Sequence, residues 1–291
     1  VASHLIPAGG KRLRPAMVIA ASLSHNNDGG DENAVTEEVI RGGVAVELVH
    51  LGSLYHDDVM DEAETRRGIE AVNNRWGNLV AILAGDFLLA KASELAASLG
   101  TEVAELLAAT IGHLCEGQVR ELQLIYDVDR NESGYLEAIG GKTAALFATS
   151  CRIGALVAGC DRTSIEQLTQ YGYAYGMAFQ IVDDILDLVA TDEELGKPSG
   201  NDLREGVYTL PVIRMIRTND PVKELLGAPL STEERDFARS LVVNGKEIAT
   251  SIETAREYAE EALEAISGFP TTIGTLGLRS AATNLLSALD R

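Results

Sequence analysis

Residues 44–61 read VAVELVHLGSLYHDDVMD, and residues 171–187 read YGYAYGMAFQIVDDILD. Each is a largely apolar run closing on one pattern: two aspartates, two apolar residues and a third aspartate. In a helix, positions four apart share a face, about one turn apart. Asp57 and Asp61 therefore align, as do Asp183 and Asp187. Asp58 and Asp184 lie about 100° round the helix, near the same rim.

An acidic run alone is most often a solvated face. Here Leu48, Val49, Leu51 and Leu54 precede the first cluster, and Phe179, Ile181, Val182, Ile185, Leu186 and Leu188 surround the second. Helices this apolar are largely buried, and like charges there must pair, neutralise or bind a cation. Hard carboxylate oxygens without His or Cys partners suit Mg²⁺, with Mn²⁺ as a substitute. Mg²⁺ keeps waters and shares its remaining positions with substrate phosphates.

Working outward, most of the chain has helical periodicity, as in the Ala/Leu/Glu-rich stretches 101–114, 247–266 and 279–289. Strand-type alternation is scarce, and the fold class is all-α. Turn-forming clusters fall at 26–30, 127–133, 196–206, 219–221, 227–229 and 268–277. None resembles a long linker, so residues 1–291 read as one domain. Interior glycines such as Gly42, Gly52, Gly154 and Gly172 weaken helices but permit close helix approach.

The chain carries 24 Lys+Arg against 44 Asp+Glu, a net charge of −20. That excludes a general nucleic-acid binder and electrostatic docking on an anionic membrane. An anionic ligand must be held by local cations against the global field. Cys115, Cys151 and Cys160 form no CxxC pair, which points to a reducing, cytoplasmic compartment rather than a zinc or disulfide framework. The longest uncharged run, 168–182, holds two Gln and three Tyr, so no stable membrane anchor is expected. The chain opens on Val1 rather than Met, so further residues are expected before it.

The local cations exist. Gly9-Gly10-Lys11-Arg12-Leu13-Arg14-Pro15 places three cations within four residues, after a Gly pair that lets backbone approach a ligand and before a Pro suited to a helix start. Taken alone it is a basic surface turn, yet Lys11 and Arg14 can converge on a diphosphate. Arg66-Arg67-Gly68 follows Asp61 by five residues. Gly141-Lys142-Thr143 looks like half of a P-loop, but Leu136 stands where the full pattern needs Gly, which excludes nucleotide binding on that motif. Gly196-Lys197-Pro198 opens the loop after the second cluster. Two acidic clusters and several separated basic spots fit two diphosphates, one metal-bound and one held by cations alone.

These motifs together resemble the trans-isoprenyl diphosphate synthase (polyprenyl synthetase) family. The matching text is GGKRLRP at 9–15, ELVHLGSLYHDDVMDEAETRRG at 47–68, GKTAALF at 141–147 and FQIVDDILD through GKPSGNDL at 179–203. The resemblance implies an antiparallel helical bundle around a deep central cavity, a homodimer, and two aspartate motifs facing each other across the cavity mouth. It implies Asp57, Asp61 and Asp183 as leading Mg²⁺ ligands, with Asp58, Asp184 and Asp187 completing the acidic rim. Arg66, Lys142, Thr143, Gln180 and Lys197 match contacts to an allylic diphosphate. Lys11, Arg14, His50 and Arg67 match the isopentenyl diphosphate site. Asp57, Asp61, Arg66, Lys142, Asp183 and Lys197 are thereby the catalytic set. One departure stands out: Val207 lies where the family commonly has a second Lys, so one cation for the allylic diphosphate is missing or comes from elsewhere.

The implied reaction is head-to-tail condensation of isopentenyl diphosphate onto an allylic diphosphate. It needs no protein nucleophile, and no Ser/His or Cys/His constellation is evident. Gly52 and Ser53, five and four residues before Asp57, are small, so a product tunnel along this helix would stay open. That predicts a long chain, hexaprenyl to decaprenyl. Geranylgeranyl is the alternative if another residue, such as Phe87, supplies a floor. A class I terpene cyclase would need a Ser and a Glu where Glu205 and Thr209 stand. A non-catalytic synthase subunit would have lost aspartates or the GGKR turn, and both are present.

Overall fold

The computed structural model describes residues 1–25, 35–191 and 199–289. Among these the helices, in chain order, are α1 (Leu13–Ser22), α2 (Glu37–Met60), α3 (Val72–Trp76), α4 (Asn78–Ser98), α5 (Thr101–Gln123), α6 (Glu132–Ile139), a π-helical segment Gly140–Ala144, α7 (Ala145–Val157), α8 (Arg162–Val189), α9 (Asn201–Glu205), α10 (Leu210–Ile216), α11 (Asp220–Leu225), α12 (Thr232–Val243), α13 (Glu247–Ala265) and α14 (Ile273–Ser287). Two-residue strands β1 (Thr65–Arg66) and β2 (Ile69–Glu70) form a hairpin after α2. Apart from that hairpin the described residues form an all-α fold.

The described residues gather into two compact units, each assembled from separate stretches of chain. The first comprises 1–111, 146–172 and 268–278; the second comprises 112–145, 173–267 and 279–291. In the first, α2 begins at an N-cap where Thr36 Oγ1 accepts the Val39 N–H at 3.4 Å, with Glu37 and Glu38 in the first turn. Its buried side, through Leu51 and Tyr55, packs with Leu5, Val72, Ala81, Ala84 and Leu88. Tyr55 is fully enclosed, and its hydroxyl contacts the Ala2 carbonyl at 3.0 Å and the Leu5 N–H at 3.3 Å, so this ring is packing. In the second unit, α6, α8 and α10 share a core built on Tyr135, Ile139, Met177, Ile181, Ile185, Leu210 and Ile213.

The turn cluster at 127–133 is loop only as far as Asn131, which caps α6; 227–229 is a loop, and Asn219 caps α11 through the Val222 N–H. The turn expected over 268–277 is shorter, because α14 already starts at Ile273. Thr272 and Thr275 exchange hydrogen bonds there, and a side chain on Gly274 would meet the Ala20 carbonyl oxygen at 2.3 Å. The glycine that reads as a breaker is a close-packing position.

Candidate active site

The six aspartates do not share one environment. Asp61 and Asp183 are exposed and Asp57 is half-buried, whereas Asp58, Asp184 and Asp187 are buried. Asp58, Asp184 and Asp187, expected to complete the acidic rim, are all buried, because the apolar helices carry them into their packed faces.

Asp58 is 0% exposed, and Arg66 Nε donates to its Oδ1 at 2.6 Å. Its Oδ2 has no hydrogen-bond partner among the described residues. Burial pushes its carboxyl above the usual range, and Arg66 opposes the rise. The end of α2 is held around it. Asn73 Nδ2 donates to the backbone carbonyls of Asp58 and Ala63, each at 2.9 Å. The chain then turns through Glu62 at φ 50° into the hairpin. That hairpin closes on Arg67 and Gly68, at φ 54° and 75°, the positive pair that a two-residue hairpin turn of this twist requires.

The hairpin aims arginines at the turn before α1. Arg67 Nη1 donates to the Gly9 carbonyl at 2.6 Å, and a side chain on Gly10 would meet the Arg67 guanidinium at 2.8 Å. Arg12 pairs with Glu47 on α2 and donates to the Ile6 carbonyl at 2.5 Å. Arg14 lies over the Phe147 ring, 4.6 Å from its centroid. His50, on α2, stands among them. Its imidazole is driven well below its ordinary value by burial and then by Arg14, Arg67, Arg66 and Arg12, so it is neutral at pH 7. Four guanidinium groups thus act on one neutral histidine in an acidic chain. Lys11, the remaining member expected here, is exposed.

In the second unit, Asp184 is 6% exposed. Tyr135 Oη donates to its Oδ2 at 2.5 Å, and Gln180 Nε2 donates to its Oδ1 at 2.7 Å. Thr143 Oγ1 in turn donates to Gln180 Oε1 at 2.7 Å. Burial pushes the Asp184 carboxyl up to about 7, with the Asp183 charge adding to the rise and the two hydrogen bonds opposing it. Tyr135 is driven well above its ordinary value, chiefly by burial, so it keeps its proton and donates. Asp187 Oδ2 accepts the Asp202 N–H at 3.3 Å at the start of α9. Thr143 and Gln180, expected against substrate, therefore spend polar atoms on each other and on Asp184. Lys142 forms an ion pair with Glu121 on α5. A side chain on Gly117 of α5 would meet the Lys142 backbone N at 2.5 Å, which sets how closely the π-helical segment approaches α5. Lys197 lies outside the described residues.

Gly52 does not face an open channel. A side chain there would meet the Gly85 carbonyl oxygen at 3.1 Å and Leu89 at 3.2 Å on α4, so the tunnel reading of Gly52 is corrected to a helix contact. Ser53 is half-buried, and its hydroxyl donates to the His50 carbonyl at 2.8 Å. Next to the Gly85 contact, His56 Nε2 approaches Asp86 at 3.3 Å and the Ile82 carbonyl at 3.2 Å. Phe87 lines a cavity of about 590 Å³ with Ile6, Leu48, Leu88 and Leu95.

Glu47, Glu121, Arg130 and Tyr135 were not visible as site residues in the sequence, since each reads as an ordinary helix or loop residue. Among the described residues, no three His, Cys, Asp or Glu side chains converge closely enough to hold a metal ion unaided. Accessible carboxylates offering one or two oxygens at a time still suit Mg²⁺, which takes its other ligands from water and phosphate.

Helices throughout, accessible aspartates on two apolar helices and a guanidinium-lined histidine define an all-α protein whose chemistry suits phosphorylated ligands. The sequence matches the family described as polyprenyl synthetase over residues 1–241, and the chain belongs to that family. It is 39% identical over 282 residues to a nonaprenyl diphosphate synthase of Mycobacterium tuberculosis, covering 94% of this chain and 82% of that protein. It is 38% identical to heptaprenyl diphosphate synthase component 2 of Geobacillus stearothermophilus, covering 92% and 83%. A polyprenyl synthase from Caulobacter crescentus, solved with calcium and isoprenyl diphosphate, superposes with a TM-score of 0.91 at 36% identity, over 98% of this chain and 87% of that one.

Proposed function

We propose that this chain is a trans-polyprenyl diphosphate synthase that adds isopentenyl diphosphate units to an allylic diphosphate and makes a long-chain product, hexaprenyl to decaprenyl. The observation that carries the reading is the convergence of Arg12, Arg14, Arg66 and Arg67 on a neutral His50 in a chain of net charge −20. Arg12 and Arg66 are already paired with Glu47 and Asp58, and the further guanidinium groups gathered beside them suit an anionic ligand. The long-chain product is supported by the names of the relatives, not by Gly52.

Asp57, Asp61 and Asp183 are the residues assigned to Mg²⁺, because they are the accessible carboxylates of the two motifs. Bound Mg²⁺ would neutralise charge building on the departing diphosphate. The chain's own groups do the rest. Lys11, Arg14, Arg67 and His50 hold the isopentenyl diphosphate. Arg66, Lys142, Thr143, Gln180 and Lys197 are the residues assigned to the allylic diphosphate. The allylic C–O bond breaks, the double bond of isopentenyl diphosphate forms the new C–C bond, and a proton leaves to the released diphosphate. Apolar walls exclude water that would quench the allylic cation.

Both units belong to one polyprenyl synthetase domain in this reading, since the family match runs through each. A homodimer is supported by Leu79, Leu83 and Phe87 on α4, which repeat every four residues and are 78%, 67% and 52% exposed. Sedimentation showing only monomer at micromolar concentration would remove that part. Among the described residues no helix is long and apolar enough to cross a membrane. The free Cys115, Cys151 and Cys160 support placing the enzyme in the reducing cytoplasm.

The deciding experiment incubates purified protein with Mg²⁺, an allylic diphosphate and radiolabelled isopentenyl diphosphate, then extracts and chromatographs the product. Long-chain prenyl diphosphate that disappears with EDTA is expected. No extractable product, with metal and both substrates present, would overturn the reading; a geranylgeranyl product would overturn its chain length only.

A further inference from the structure

One buried group in the second unit has no place in the scheme above. Tyr135 of α6 is 2% exposed, and its hydroxyl is directed at Asp184, the inward member of the second aspartate motif. Asp184 is also gripped by Gln180, one helical turn before it, and Gln180 is gripped by Thr143 beside Lys142. Arg130, buried as well, lies over the Tyr135 ring at 5.6 Å from its centroid and donates to the Tyr208 carbonyl at 3.2 Å. Its charge and that of Asp184 attract, which offsets a small part of the cost of taking the carboxylate out of water.

We propose that Tyr135 is a positioning residue for metal-assisted diphosphate binding: by holding Asp184 inward it fixes the rotation of α8 that presents Asp183 outward. Asp183 and Asp184 are adjacent on one helix, about 100° apart, and here Asp183 faces solvent while Asp184 is enclosed. An enclosed carboxylate is costly unless its oxygens are hydrogen-bonded. Gln180 satisfies Oδ1, and Tyr135 satisfies Oδ2. Without the phenol, Asp184 gains by swinging toward water, where it competes with Asp183 for the same cation. The chain Thr143–Gln180–Asp184–Tyr135 also ties the π-helical segment carrying Lys142 to the same anchor, so cation and carboxylate keep a fixed spacing. Asp184 is then an anchor and not a metal ligand.

This inference rests on the proposed function for its ligand, and the test separates the two. Tyr135→Phe keeps the ring and removes only the hydroxyl. Calorimetry of Mg²⁺ with inorganic diphosphate, thermal melting and steady-state kinetics are measured on wild type, Tyr135→Phe, Asp184→Asn and the double variant. The expected Tyr135→Phe protein melts within a few degrees of wild type. Its Mg²⁺-dependent diphosphate affinity falls about fivefold to tenfold and kcat falls about tenfold, as for loss of one positioning interaction. KM for isopentenyl diphosphate stays unchanged, because the residues assigned to it lie in the first unit. The double variant is no worse than Asp184→Asn alone, since Tyr135 acts through that carboxylate.

Wild-type affinity and kcat in Tyr135→Phe would overturn the proposal. So would losses that multiply in the double variant, or that follow only the folded fraction. If the wild type binds Mg²⁺ and diphosphate but makes no prenyl product, the functional reading fails while calorimetry still judges Tyr135. Absence of Mg²⁺-dependent diphosphate binding in the wild type would overturn both.

Discussion

The two aspartate motifs share a five-residue pattern and differ in how each buries its second carboxylate. In the first unit Asp58 is held by a charge, the Arg66 guanidinium at 2.6 Å. In the second, Asp184 is held by two neutral donors, Tyr135 and Gln180, and its carboxyl rises to about 7. An arginine keeps a buried carboxylate ionised by Coulomb attraction, whereas neutral hydrogen bonds only partly offset desolvation. The repeated motif is therefore not six equivalent ligands. Each copy sets accessible carboxylate on a buried anchor, and the anchors are built from different chemistry.

The comparison breaks most visibly at the accessible residues. Asp57→Asn and Asp183→Asn should each lower kcat/KM on the order of a thousandfold while leaving the melting curve in place, because an electrostatic contact to developing charge is lost. Turnover within a few-fold of wild type in either would remove that residue from the site.

Next comes the charged anchor. Arg66→Met leaves Asp58 enclosed without its guanidinium, and we expect a loss of about 2 kcal/mol in urea unfolding; Arg66 is partly exposed, which reduces the cost. Adding Asp58→Asn should return much of that loss, since the pair is coupled. An additive double variant would show that the ion pair contributes no mutual stabilisation.

The pH dependence separates the regions by sign. Asp184 has its folded value raised to about 7 from 3.8, so the folded state keeps a proton that the unfolded chain releases. Its contribution makes metal-free stability fall as pH rises across that window, and Asp184→Asn should flatten the fall. His50 is lowered well below 6.5, so the unfolded chain takes a proton that the folded chain refuses. Its contribution makes stability fall as pH drops below 6.5, and His50→Gln should flatten that limb. Urea midpoints from pH 4.5 to 7.5 would show both; the same sign for the two variants would refute the assignment.

The smallest effect concerns Val207. Its N–H donates to the Asp202 carbonyl at 2.9 Å, and its side chain is half-buried. Val207→Lys adds a cation beside the second motif and should lower KM for the allylic diphosphate by about fivefold at most. An unchanged KM would mean that this position does not reach the substrate.

The all-α fold and the two motifs were legible in the sequence because period and spacing are local properties. Asp57–Asp61 alignment follows from helical geometry alone. What was not legible depends on which face of a helix another segment covers. Asp58 and Asp184 lie 100° from their neighbours, and only packing decides whether that direction is solvent or core. Gly52 looked like an open tunnel position until Gly85 and Leu89 were found against it. Tyr135 and Arg130 are separated from Asp184 by 49 and 54 positions, and nothing in their local sequence announces the contact. Gly274 reads as a breaker because composition records flexibility, not the Ala20 carbonyl it admits.

Accessible and buried carboxylates of the same motif have separate tasks. Anomalous scattering from crystals grown with Mn²⁺ and an unreactive allylic diphosphate analogue tests it directly. Metal peaks within bonding distance of Asp57, Asp61 and Asp183, with Asp58 still on Arg66 and Asp184 still on Tyr135, are the predicted result. Metal bonded to Asp58 or Asp184 would contradict it.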